Sequence, residues 1–154
     1  MRLNQDFKDL CAALNATGAK YLLVGGYALA HHARPRFTRD LDLWVEPTPE
    51  NARRVHAALV DFGAPAEMFS ANDFVRPEWT VQLGVAPNRV DVATSIDGVA
   101  FADAWSAREM TEFMGEPVAV IGRAHLIANK RAVGRLQDLA DIEALERFRP
   151  DHGG

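Results

Sequence analysis

The sequence has a single cysteine, Cys11, so no disulfide bond can form within the chain. This composition fits a reducing compartment. The residues next to Cys11 are leucines and alanines, which indicates a buried thiol that packs as a small hydrophobic group. We therefore exclude a disulfide-stabilised fold and assign Cys11 no catalytic role.

Long hydrophobic runs and an excess of positive charge are also missing. No stretch reaches the roughly 20 apolar residues of a membrane-spanning helix, and the first residues lack the apolar core of a signal peptide. The formal net charge of −4 argues against a broad surface for duplex nucleic acid, so any RNA partner would need a local basic patch. We expect a cytoplasmic protein with no membrane partner.

The remaining composition is that of a globular protein. Hydrophobic residues make up 48% of the chain and charged residues 25%, which favours a folded core over disorder. A length of 154 residues suits one domain. We predict that this domain spans residues 1–148 and that residues 149–154 form a frayed tail.

Hydrophobic periodicity predicts a mixture of helices and strands. Helices are predicted over residues 4–17, 27–33, 49–62 and 101–107, and over 123–148 with an interruption at Gly134. Strands are predicted at 21–24 and 37–45, with hairpins at 79–93 and 112–121. The last helix places five apolar residues on one side, namely Leu136, Leu139, Ile142, Leu145 and Phe148. The predicted fold class is α/β (α+β), with a mixed, mostly antiparallel sheet flanked by helices and a helical C-terminal segment.

Two aspartates are the main candidates for chemistry. Asp40 and Asp42 alternate with Leu41 and Leu43 in a predicted strand, so both carboxylates should lie on one face. Carboxylate oxygens are ligands that Mg²⁺ prefers, and Asp91, an acid in a later apolar strand, is the candidate third ligand. An isolated Asp-x-Asp is more often a solvated edge. Here the apolar flanks predict burial, where carboxylates need a cation or hydrogen-bond donors.

Gly25 and Gly26 end the first predicted strand. Without a Cβ atom the backbone can approach a phosphate, and the helix that follows presents free N–H groups at its start. On its own, such a pair is more often a tight turn. Walker spacing and the Gly-x-Gly-x-x-Gly pattern are both absent, so those nucleotide-binding folds are not supported.

Together these segments resemble a known motif. Gly25-Gly26, a spacer of thirteen residues and the stretch from Asp40 to Leu43 are similar to the defining motif of the nucleotidyltransferase fold shared with DNA polymerase beta. Asp91 matches the third acid of that superfamily. The stretch from Lys130 to Asp141 resembles the C-terminal signature of abortive-infection (AbiEii-type) nucleotidyltransferase toxins and their small relatives. One departure is that many members carry serine where this chain has Gly26.

The resemblance implies a Mg²⁺-dependent enzyme that transfers a nucleoside monophosphate from a nucleoside triphosphate (NTP) to an acceptor hydroxyl and releases pyrophosphate. A two-ion site is implied. The implied metal ligands and catalytic residues are Asp40, Asp42 and Asp91, and the implied nucleotide-binding residues are Gly25, Gly26, Lys130 and Arg39. The alternative to these nucleotide-binding roles is that Lys130 is a solvated lysine on a helix and that Arg39 is a surface arginine.

Two further residue pairs have structural interpretations as well as functional ones. Asp138 and Asp141 lie three residues apart on one helix face, where they either act in the site or pair with Arg135, and we favour a structural role for Asp141. His31 and His32 are adjacent, so we expect them to point in different directions and not to bind one ligand together.

The sequence leaves the acceptor open. An RNA such as the tRNA 3′ end would fit a toxin, a partner protein would fit an antitoxin-like role, and a small molecule such as an antibiotic would fit a resistance enzyme. The expected partners are the NTP, this acceptor, and either a second copy or a cognate toxin or antitoxin. The alternative functions are a non-catalytic module that senses nucleotide or binds protein, and a structural dimer whose acids are solvated.

Overall fold

The structure is a computed structural model, and it describes residues 3–33, 40–84 and 89–148. The α-helices in these ranges are α1 (Leu3–Ala16), α2 (Gly25–His32), α3 (Pro49–Phe62), α4 (Phe101–Ser106), α5 (Arg123–Val133) and α6 (Leu136–Arg147). The strands are β1 (Tyr21–Val24), β2 (Asp40–Val45), β3 (Thr80–Leu83), β4 (Arg89–Ala93), β5 (Glu109–Phe113) and β6 (Glu116–Val120). Two 3-10 helices, Ala66–Met68 and Ala71–Val75, connect α3 to β3.

The six strands form one sheet in the order β3-β4-β2-β1-β6-β5. The β4–β2 and β1–β6 pairs are parallel, and the other three pairs are antiparallel. The predicted fold class is confirmed: the sheet is mixed and mostly antiparallel, helices flank it, and the C-terminal segment is helical. Both predicted hairpins are present, although the turn that contains Pro87 lies outside the described residues.

The hydrophobic core covers both faces of the central strand β1, all four residues of which are buried. This burial explains why β1 is a continuous apolar run instead of an alternating one. Cys11 is buried in the same core, and desolvation raises the pKa of its thiol to about 11. The prediction of a buried cysteine is therefore confirmed. No helix within the described ranges is long and apolar enough to span a bilayer.

The final helix, α6, does not bury the purely apolar side that its sequence predicts. Its inward face consists of Asp138, Asp141, Ile142 and Leu145, which follow helical spacing. Leu136 and Leu139, by contrast, are 86% and 51% exposed. The prediction of one apolar side is thus only partly right, because two aspartates take the inward positions of the first turns.

Candidate active site

The parallel pairing of β2 with β4 brings the three predicted acids to one face of the sheet. Its register places Asp42 opposite Asp91 and Asp40 opposite Arg89. All three aspartates are partly buried, and the carboxyl groups of Asp42 and Asp91 are close enough to shift each other's pKa. The cluster therefore combines two aspartates of β2, which are two residues apart, with Asp91, which is distant from them in the sequence.

This arrangement changes the acidity of the cluster. Burial, followed by the charges of Asp91 and Asp40, raises the pKa of Asp42 to about 6. Burial also raises the pKa of Asp91, while the positive charge of Arg89 opposes that shift. The contact between the two carboxyl groups raises the pKa of Asp42 and lowers that of Asp91.

Arg89 is a member of the site that the sequence interpretation missed. Its Nη2 atom lies 3.5 Å from Asp40 Oδ2, and its Nε atom lies 3.4 Å from Asp91 Oδ1. The guanidinium group therefore bridges two of the three acids. Arg89 precedes Asp91 by two residues, so strand alternation already indicated that the two side chains share a face.

Gly25 is the first residue of α2 and packs against the acids. Its φ angle is +66°, and a Cβ atom at this position would lie 2.2 Å from Asp42 Oδ2. Any other residue would collide with the carboxyl group of Asp42, so the space as well as the backbone conformation requires glycine. Gly26 is the next residue of the helix, and the first N–H groups of α2 consequently lie beside the acidic cluster.

The cluster is the candidate site for a divalent cation, although among the described residues its three carboxyl groups do not bring one oxygen each within 4.8 Å of the other two. It places three carboxyl groups against one guanidinium group, and burial with neighbouring negative charge raises the pKa of one of them, Asp42, to about 6. In addition, Asp91 Oδ1 is buried and accepts no hydrogen bond within the described part of the chain. An oxygen-preferring ion such as Mg²⁺ would supply the missing positive charge, with Asp40, Asp42 and Asp91 as its ligands.

The raised pKa of Asp42 predicts a stability that depends on pH. The folded carboxyl group titrates near 6 instead of 3.8, so the folded state holds this proton more tightly, and the associated stability is lost as the pH rises through about 6. We expect the difference in unfolding free energy between the unmodified chain and Asp42→Asn to change by on the order of 2 kcal/mol between about pH 4 and about pH 7, in favour of the variant. Denaturant titrations in EDTA test this, and a pH-independent difference would contradict it.

Lys130 lies in a buried ion-pair cluster formed by α5 and α6. Its Nζ atom is 2.9 Å from Asp141 Oδ2 and 3.6 Å from Asp138 Oδ1. Arg135 also pairs with Asp138, and Gln137 donates to Asp141. Within the described residues no ion pair joins Lys130 to the acids of β2 and β4. Arg39, the other predicted cationic nucleotide contact, lies outside the described residues.

His31 and His32 do not diverge as expected. His31 Nε2 lies 3.4 Å from Glu109 Oε1, and His32 Nδ1 lies 3.6 Å from Glu109 Oε2. The two rings meet edge to face with centroids 4.7 Å apart. The expectation fails because each imidazole approaches through a different nitrogen atom. Each of these nitrogens contacts a different oxygen of the Glu109 carboxylate on β5.

Several solved structures are similar to this chain, and two of them match it over most of its length. One is the lincosamide antibiotic adenylyltransferase LnuA with bound lincomycin, at 16% identity and a TM-score of 0.60, covering 92% of this chain and 95% of that one. The other is a putative nucleotidyltransferase from Thermotoga maritima, at 15% identity and a TM-score of 0.56, covering 92% of this chain and 88% of that one. No protein-family model and no curated protein sequence matches the chain. At these identities the likeness shows the fold, which is the nucleotidyltransferase fold.

Proposed function

We propose that this protein is a metal-dependent nucleotidyltransferase that moves a nucleoside monophosphate from an NTP to an acceptor hydroxyl group. The observation that carries the proposal is the acidic cluster of Asp40, Asp42 and Asp91 beside the first residue of α2. A carboxylate cluster suits divalent cations, and a helix start suits phosphates. Both kinds of site are needed to bind a metal-bound triphosphate.

Each part of the cluster has a role in this proposal. Asp40, Asp42 and Asp91 would hold Mg²⁺, in our proposal two ions, and bound Mg²⁺ stabilises negative charge on phosphoryl oxygens. The N–H groups of Gly25 and Gly26 would donate to phosphate oxygens. In the reaction the acceptor oxygen bonds to the α-phosphorus, the bond to pyrophosphate breaks, and the acceptor proton passes to a carboxylate, for which Asp91 is the candidate.

Among acceptors, we propose a small-molecule hydroxyl as the first class to test. A structural neighbour of nearly the same extent is described as a lincosamide adenylyltransferase, which supports this choice. The sequence resemblance to abortive-infection toxins supports RNA as the second class, in a toxin–antitoxin or defence system with a cognate protein partner. A protein hydroxyl is the third.

The experiment supplies each of the four NTPs, labelled in the α-phosphate, together with Mg²⁺ and a fractionated cell extract. We expect label to move into one fraction, small molecule, RNA or protein, with equal release of pyrophosphate and complete dependence on Mg²⁺. The Asp42→Asn variant is the negative control. NTP binding without pyrophosphate release in every fraction would overturn the proposal and favour a non-catalytic module that senses nucleotide or binds protein.

A further inference from the structure

We propose a second metal site, for a transition-metal dication of the zinc class, formed by His31, His32 and Glu109. The two histidines lie at the C-terminal end of α2, and Glu109 begins the edge strand β5. None of the three belongs to the acidic cluster of β2 and β4. The inference therefore stands or falls independently of nucleotidyl transfer.

The spacing of the three side chains matches that of tetrahedral ligands. One atom from each residue lies within 4.8 Å of the other two, and the two histidine-to-carboxylate distances are 3.4 and 3.6 Å. A tetrahedral ion with bonds of about 2.0–2.1 Å separates its ligand atoms by roughly 3.3–3.4 Å. The two histidine-to-carboxylate distances are within a few tenths of an ångström of this value, although they run to different oxygens of Glu109. On binding an ion, the two histidine nitrogens, now within 4.8 Å of each other, would be drawn to the same spacing.

The hydrogen bond of His32 selects the nitrogen that would bind. His32 Nε2 lies 2.7 Å from the carbonyl oxygen of Ile121. A carbonyl oxygen only accepts, so Nε2 carries the proton and Nδ1 presents its lone pair toward Glu109. Metal-binding histidines characteristically donate their second N–H to a carbonyl or carboxylate, which fixes the ring. An ion between Nδ1 and the carboxylate would complete this arrangement.

The chemistry of the ligands distinguishes this site from the acidic cluster. Two imidazoles and one carboxylate suit zinc and its neighbours, whereas Mg²⁺ prefers oxygen ligands alone. The side chain of His32 is 2% exposed, and those of His31 and Glu109 are 14% and 38% exposed. The site is thus buried on the side of His32 and reachable from solvent on the side of Glu109. Three protein ligands leave one tetrahedral position for water or another ligand.

The test uses the full chain, free of tags and stripped of metal, with Mg²⁺ in excess so that the acidic cluster is occupied. Calorimetric titration with Zn²⁺ should show one ion per chain, and Co²⁺ in its place should give the intense visible absorption of tetrahedral coordination. His31→Ala and Glu109→Gln should each weaken Zn²⁺ binding by about 100-fold or more. His32 is left unchanged in this test because its burial makes it part of the core.

Matched controls separate this site from others in the chain. Glu112→Gln, on the same strand, and His56→Ala, on α3, should leave Zn²⁺ affinity unchanged. Asp40→Asn combined with Asp42→Asn should also retain the Zn²⁺ site. The proposal is overturned if Zn²⁺ does not bind, which would leave a histidine–glutamate ion pair only, or if binding survives both His31→Ala and Glu109→Gln.

Discussion

Replacing Asp40 and Asp42 together with asparagine is expected to abolish Mg²⁺-dependent NTP binding and to lower nucleotidyl transfer by about 10³-fold or more. Metal coordination supplies several kcal/mol of transition-state stabilisation, and each 1.36 kcal/mol corresponds to about a tenfold change in rate. Both substitutions keep the size of the side chain, and each removes a negative charge from a cluster in which like charges repel. We therefore expect the metal-free variant to be at least as stable as the unmodified chain.

This result can be measured without knowledge of the acceptor. At a ligand concentration 100 times its dissociation constant, binding to the folded state adds about 2.7 kcal/mol of stability, so Mg²⁺ with an NTP should raise the unfolding temperature of the unmodified chain but not of the variant. Asp61→Asn, an exposed acid on α3, is the matched control and should retain the increase. An increase that persists in the double variant would refute the assignment of the acids.

Replacing Lys130 with methionine is expected to destabilise the fold by about 3–5 kcal/mol. The substitution removes the cation 2.9 Å from Asp141, whose side chain is buried at 5% exposure, whereas Asp138 keeps its ion pair with Arg135. Loss of one partner of a buried ion pair typically costs this much. Arg131→Met is the matched control on the same helix. Arg131 pairs with Glu146 at the surface, so we expect a change within about 0.5 kcal/mol.

The same variant separates the two interpretations of Lys130. A structural role predicts lower stability in denaturant titrations, with NTP affinity unchanged at temperatures where the variant is folded. A nucleotide-binding role predicts the reverse, namely weaker NTP binding at nearly unchanged stability. Lys130→Met combined with Asp141→Leu should recover part of the lost stability, because the second substitution removes the buried negative charge that Lys130 neutralises.

Local patterns were enough to predict most of the secondary structure and the members of the acidic cluster. Alternation placed Asp40 and Asp42 on one face, and the glycine pair marked the start of α2. The adjacency of β2 and β4 did not follow from alternation, because strand order depends on tertiary packing. The resemblance to a known motif supplied that information for Asp91. Arg89 was missed because its contact with Asp40 depends on the same pairing of β2 with β4.

Contacts between distant segments were beyond the reach of sequence patterns. His31 and Glu109 are separated by 78 positions in the chain, and their meeting depends on β5 forming the outer edge of the sheet. The side of α6 that faces the core could not be predicted from its sequence either. Periodicity favoured Leu136 and Leu139 as core residues, whereas pairing of Lys130 with Asp138 and Asp141 turns the helix away from that arrangement.

Helix α2 has a consequence for how the two proposed metal sites would affect each other. It contains eight residues, so its ends are roughly 12 Å apart. One end abuts the carboxyl group of Asp42, and the other carries both histidines that face Glu109. Because the helix is short, a displacement of its first residues beside Asp42 would also displace the two histidines at its other end. Thermodynamic linkage then requires reciprocity: whatever factor a dication at the histidines imposes on Mg²⁺ affinity, Mg²⁺ imposes on the affinity of that dication.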